Sequence, residues 1–194
     1  PQVFADFDPN YRVGPIGGAK QQIDAKRHFH AVDHDALRSG EAARINFSFA
    51  GSGGGTVSVG PATFTRVARA LETGTIAVVE GQFSGNIAMY SSKTDAAAGF
   101  AANTFYLGNN QRYSRLFNAL ICHEAVHASF DLTRSSLPWI DNEAAAYIAQ
   151  AYYARNSGLP RLAFEFGSES IIAYSVVENM RANNASDISF FLGA

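Results

Sequence analysis

From residue 113 almost to the end of the chain, apolar residues recur at helical spacing; before that point they alternate or come in short runs. The spacing predicts one helix over 113–132 and a second over 143–155, after a Leu137-Pro138-Trp139-Ile140 connection. A third is expected from near Ser168 to about Asn183, with Glu169 in its first turn, where the helix dipole favours an acid. Asp141-Asn142 offers an N-cap for the second helix, and Asn156-Ser157-Gly158-Leu159-Pro160 ends it.

Upstream the period changes. Residues 44–50 alternate, with Ile45, Phe47 and Phe49 on one side, and predict a strand. Gly51-Ser52-Gly53-Gly54-Gly55 then leads to a second strand at 56–59. The cluster lacks the Gly-Lys-Ser/Thr ending of a phosphate loop and does not open a helix, so it reads as a flexible hairpin connection. Pro61-Ala62-Thr63 starts a helix to about Glu72, with Phe64, Val67, Ala68 and Leu71 on one face and Gly74 as its stop. Residues 75–80 and 85–91 read as two strands joined by a short turn through 81–84, and 92–102 as a polar, alanine-rich loop or short helix. A further strand is expected at 103–107, closed by Gly108-Asn109-Asn110. Residues 1–20 hold three prolines and three glycines and suggest an irregular arm, and 21–39 is polar and helix-compatible up to Ser39-Gly40. Strands with one or two helices, followed by a helical half, give the α+β class. No linker divides the chain, so a single domain over 1–194 is expected.

Composition narrows the function classes. With 194 residues, 47% of them hydrophobic, the chain can bury a sizeable core. Net charge is −2 and the Lys and Arg residues are scattered, which gives no basic stripe for nucleic acid. No run approaches the ~18–20 apolar residues of a membrane span. No charged-then-apolar signal segment opens the chain, so a secreted and a cytoplasmic setting fit alike. The one cysteine, Cys122, rules out an internal disulfide and reads as a small buried hydrophobe.

Candidate chemistry concentrates at His123-Glu124-Ala125-Val126-His127, an H-E-x-x-H run inside the predicted 113–132 helix. Residues i and i+4 share a helix face, so His123 and His127 can both point a ring nitrogen at one ion, expected to be Zn2+. Glu124, one step round, is poorly placed as a ligand and well placed as a base for a metal-bound water. The third ligand has to be a carboxylate, or one of the early histidines folded back. Glu143, sixteen residues past His127, is the preferred carboxylate, because a turn between the helices brings it near the histidine face. Asp131, four past His127, suits an outer hydrogen bond or a cap better than ligation, and Asp141 and Asn142 suit holding a ring N–H of a ligand histidine. His28, His30 and His34 fit a surface helix with exposed histidines better than a second metal site.

His-Glu-x-x-His on one helix, then Asn-Glu at the head of the next, resembles the gluzincin branch of the zincin metallopeptidases, which includes thermolysin-like enzymes. The likeness covers residues 113–155, and more loosely the strand-then-helix order before them. It implies a zincin-like fold: a mixed or antiparallel sheet, an active-site helix, then a mostly helical C-terminal half. It implies zinc on His123, His127 and Glu143, with Glu124 as general base. It also implies that the strand at 103–107 borders the cleft and pairs with an extended peptide or protein substrate, and an endopeptidase rather than an exopeptidase. Two departures stand out. The gap from His127 to Glu143 is short, and no later histidine is present to stabilise an oxyanion, which leaves Tyr147 or Tyr174 as donor. The other functions compatible with this reading are a zinc-binding regulatory or interaction module with little or no proteolysis, and an effector-like peptidase with one protein target.

Overall fold

A computed structural model describes residues 34–83, 88–108, 114–163 and 167–188. The expected arm at 1–20, and His28 and His30, lie outside these residues. Residues 34–37 are helical; Ser39 then accepts the Ala42 N–H at 3.2 Å and opens a second short turn, α1 (Gly40–Ala43). Ser39-Gly40 is therefore a corner between two helical turns.

β1 (Phe47–Ala50) and β2 (Thr56–Val59) form an antiparallel hairpin that pairs Phe47 with Val59 and Ala50 with Thr56. The alternation places Phe47, Phe49, Val57 and Val59 in the core, and the glycine cluster makes the turn, closed by Gly51 N–H donating to Gly55 O at 2.7 Å. After α5 (Ser168–Ala182) the chain returns to the free side of β1: Ser48 N–H donates to Ser186 O at 2.8 Å, and Ile188 N–H to Ser48 O at 2.9 Å. α2 (Pro61–Glu72) begins with proline where a missing N–H costs nothing, and buries Phe64, Val67, Ala68 and Leu71. Gly74, at φ +71°, takes the left-handed turn after it.

The second sheet contains β3 (Ala77–Phe83), β4 (Ala88–Ser91) and β5 (Thr104–Gly108) in the order β3-β5-β4. β5 runs parallel to β3 and antiparallel to β4. The strands on either side of the 81–84 segment therefore do not pair with each other. All five residues of β5 are buried, as suits a strand covered on both faces and paired on both edges. This overturns the expectation that the 103–107 strand pairs with a substrate, because its backbone is already committed to β3 and β4. The strand beside the histidine helix with no described neighbour on its other edge is β4. Between β4 and β5 the chain forms a loop, closed by paired backbone bonds between Asp95 and Phe100.

α3 (Arg115–Leu132) starts at Ser114, whose hydroxyl accepts the Phe117 N–H at 3.0 Å. Phe117, Ala119, Ile121, Cys122, Ala125, Val126 and Ala128 are all buried, so packing surrounds most of its girth. α4 (Trp139–Asn156) begins one turn earlier than its pattern suggests, with Pro138 at the N-cap. Asp141 thus lies inside the first turn, and its carboxylate accepts from Ser52 in the glycine loop instead of capping the helix. Buried alanines one turn from the facing groups, Ala119 before His123 on α3 and Ala146 after Glu143 on α4, leave room for the two axes to approach closely. Tyr152 of α4 stacks on Phe47 of β1 with ring centroids 5.8 Å apart, and one apolar core runs through both sheets and the helices. The architecture is α+β. Among the described residues no helix is long and apolar enough to cross a membrane.

Phe47 joins the hairpin to α4, so Phe47→Ala is expected to cost about 3–5 kcal/mol in stability. Urea unfolding should show a lower midpoint at unchanged slope; a loss under ~1 kcal/mol would mean that the hairpin is not part of the cooperative core.

Candidate metal centre

α3 carries His123 and His127 one turn apart on the side that meets α4. Their Nε2 atoms converge on Glu143: His123 Nε2 lies 3.8 Å from Oε2, and His127 Nε2 3.6 Å from Oε1. The three ligand atoms lie within 4.8 Å of one another. Tetrahedral ligands at ~2.1 Å from zinc stand about 3.4 Å apart, close to the spacing of each histidine from the carboxylate. Among the described residues no other trio of His, Cys, Asp or Glu side chains converges in this way.

The second nitrogen of each ring is also held. His123 Nδ1 is 3.0 Å from Gln150 Oε1, and His127 Nδ1 is 2.9 Å from Asn142 Oδ1. An amide oxygen only accepts, so each Nδ1 carries the proton and each Nε2 presents its lone pair towards Glu143. The His123 ring is further fixed edge-on to Tyr147, at 4.7 Å between centroids, and to His127 at 4.9 Å. Burial, and then the neighbouring His127, hold His123 well below the usual imidazole pKa. It therefore stays neutral, the form that binds metal.

Glu124 points from α3 towards the sheet, where its Oε2 accepts the backbone N–H of Tyr90 on β4 at 2.7 Å. Burial, aided by the Glu143 charge, raises its carboxyl pKa to about 7 against the opposing pull of His127 and the Tyr90 N–H. Burial likewise pushes Glu143 up, against His127. Asp131 is not at the metal-facing cluster: its Oδ2 accepts the Tyr90 hydroxyl at 2.7 Å. Tyr90 therefore ties β4 to α3 through its side chain and holds Glu124 through its main chain.

The other candidates separate clearly. Tyr147 borders the centre, and no hydrogen bond of its hydroxyl occurs among the described residues. Burial and the charges of Glu143, Glu169 and Glu124 raise its pKa, so it remains a protonated donor. Tyr174 is not brought to the centre: its hydroxyl donates to Leu159 O at 3.0 Å, beyond the opposite end of α4 from Glu143. The thirteen residues from Glu143 to Asn156 alone span about 20 Å. His34 joins Arg38 in binding Glu72 at the end of α2, in a surface ion-pair cluster. Cys122 is fully buried, and burial raises its thiol pKa well above normal, which keeps it unreactive. Two contributors went unmarked in the sequence reading, Tyr90 and Gln150. Gln150 did leave a signal, as a single amide inside the buried run 148–154, where an unpaired polar group would be costly.

Compared with known proteins, the chain matches no family model, no curated protein and no solved structure.

Removing either amide should loosen an imidazole without deleting a ligand. For a trio that holds zinc, Asn142→Ala and Gln150→Ala would each be expected to weaken zinc affinity about 10–100-fold in chelator competition, and His127→Ala to abolish stoichiometric binding. Equal affinity in both amide variants would show that the rings need no such support. Glu124 gives a test by pH. Its folded pKa lies above its unfolded value, so its stabilising contribution is full below about pH 4.5 and is lost as pH rises through about 7. In EDTA-treated protein at pH 8, Glu124→Gln should be the more stable form, by on the order of 3 kcal/mol, and the difference should shrink towards pH 4.5. A pH-independent difference would count against Glu124 as the titrating group.

Proposed function

We propose that the chain is a zinc-dependent peptidase that hydrolyses peptide bonds with a metal-activated water and Glu124 as general base. The observation that carries this reading is the convergence of His123 Nε2, His127 Nε2 and the Glu143 carboxylate, with each ring's Nδ1–H tied to an amide oxygen. Two neutral imidazoles and one carboxylate fit the donor set of a catalytic zinc, which keeps a further position open, better than that of a closed structural site. Zinc held there would lower the pKa of a bound water to about 7 and polarise a substrate carbonyl.

The remaining work falls to the chain's own side chains. Glu124 Oε2 is occupied by the Tyr90 N–H, which leaves Oε1 to take a proton from the attacking water and return it to the leaving amine. Burial raises the carboxyl to about 7 in the metal-free site, and a cation beside it would draw that value down, leaving Glu124 ionised and able to act as base near neutrality. Tyr147, protonated and beside His123, is the candidate donor to the developing oxyanion. An extended substrate backbone is assigned to the outer edge of β4 rather than to β5. That edge has no described partner strand, and it lies where Tyr90 meets the base.

The test separates metal from catalysis. Glu124→Gln is expected to bind one zinc and to cut a peptide library at least a hundredfold more slowly than wild type. Cleavage at the wild-type rate would overturn the mechanism. A zinc-loaded wild type that cuts nothing would make the domain a metal-dependent binding module instead.

A further inference from the structure

The turn that supplies both Asn142 and Glu143 is the least self-sufficient part of α4. Pro138 at its N-cap makes no side-chain capping bond, and an uncapped first turn tends to fray. This turn is held from outside. Asp141 is only 6% exposed, and its carboxylate accepts the Ser52 N–H on both oxygens, at 3.1 and 2.9 Å, and the Ser52 hydroxyl on Oδ2 at 3.0 Å. The loop that presents Ser52 is braced across itself by Gly51 N–H to Gly55 O at 2.7 Å and Gly54 N–H to Gly51 O at 3.0 Å.

At position 51 a side chain would disturb this fit, and at position 53 it would only touch Pro138. A Cβ on Gly51 would meet Asp141 Oδ2 at 2.9 Å and Val57 Cγ2 at 3.1 Å, and one on Gly53 would lie 3.4 Å from Pro138 Cγ. The loop thus lies flush on Pro138 and Asp141, which share one side of the turn as i and i+3. Asn142 and Glu143 are rotated from Asp141 by about 100° and 200°, onto the side that faces α3. The loop grips the back of the turn, and the groups that face the histidines project from its front.

We infer that the Gly51–Gly55 hairpin loop is a positioning device for the metal centre. Asp141, clamped by Ser52, sets the first turn of α4 so that Asn142 orients His127 and Glu143 reaches its place between the imidazoles. The inference rests on the zinc reading. It makes Asp141 and Ser52 positioning residues, since neither touches the centre. Linkage makes the coupling reciprocal: metal on Glu143 tightens the loop as the loop tightens the metal.

The experiment uses the full chain with zinc and cobalt(II) as probes. Asp141→Ala should bind zinc about 10–100-fold more weakly than wild type and alter the visible spectrum of the cobalt form. Asp141→Asn, which keeps an acceptor for Ser52, should recover most of that affinity. In wild type, zinc should slow hydrogen exchange at the Ser52 amide, far from any ligand in sequence. If Asp141→Ala lowers the melting temperature of EDTA-treated protein but leaves zinc affinity and the cobalt spectrum unchanged, Asp141 only anchors the fold and the inference is overturned. If Asp141→Ala does not fold, Ser52→Ala, which removes the hydroxyl bond to Asp141 and keeps the N–H bond, gives the reading: zinc should bind severalfold more weakly, and unchanged affinity with unchanged zinc-dependent protection of the residue-52 amide overturns the inference. Failure of the zinc reading itself looks different: wild type then takes up neither metal.

Discussion

The register between α3 and α4 is the constraint on which the centre depends. Glu143 reaches between His123 and His127 only at one sliding position of the two helices, and a shift of one residue along either axis, about 1.5 Å, would pull a carboxylate oxygen away from its imidazole. Two kinds of contact fix that position. The small side chains of Ala119 and Ala146 allow the helices to approach closely, and the Asn142–His127 and Gln150–His123 hydrogen bonds set where along the axes they stop. Apolar packing alone tolerates slippage that these two hydrogen bonds, one buried and one half-buried, do not.

Charge completes the picture. Burial holds His123 neutral and raises the pKa of both Glu124 and Glu143. Two carboxyls close together in a poorly solvated place favour the uptake of positive charge, either as protons or as a cation. That preference belongs to the folded arrangement, and it gives the proposed zinc site an electrostatic reason as well as a geometric one. The same burial brings the metal-free Glu124 carboxyl to about 7, so its charge changes near neutrality.

Much of this was legible in the residues. The i, i+4 histidines on a periodic apolar segment announce both a helix and a shared face, and a carboxylate near the start of the next helix follows from a short connection. The α+β order and the hairpin over the glycine cluster follow from the switch between periods. What stayed hidden depends on tertiary pairing. Strand order in β3-β5-β4 is set by which strand is buried on both faces, and adjacency along the chain made 75–80 and 85–91 look like neighbours. Tyr90 looks like any strand aromatic until α3 is docked against β4. Tyr174 has the chemistry of a donor, but its hydroxyl is used at the far end of α4. Asp141-Asn142 resembles a cap by composition, yet Pro138 starts the helix earlier and frees Asp141 for the loop.

The contacts that build the centre differ widely in how much chain they enclose. The His123, His127 and Glu143 trio lies within one helical hairpin, and the amides bonded to its rings are 15 and 27 residues from their histidines. The Tyr90 bond to Glu124 closes 34 residues, and the Ser52 bond to Asp141 closes 89. Loop-closure entropy grows with separation, so short-range contacts are the cheaper ones to form early. In the folding chain this ordering favours the donor set ahead of the oriented base, and leaves the bracing loop until last. Assembly of the site is then graded, and the full arrangement is reached only after the long-range topology is complete.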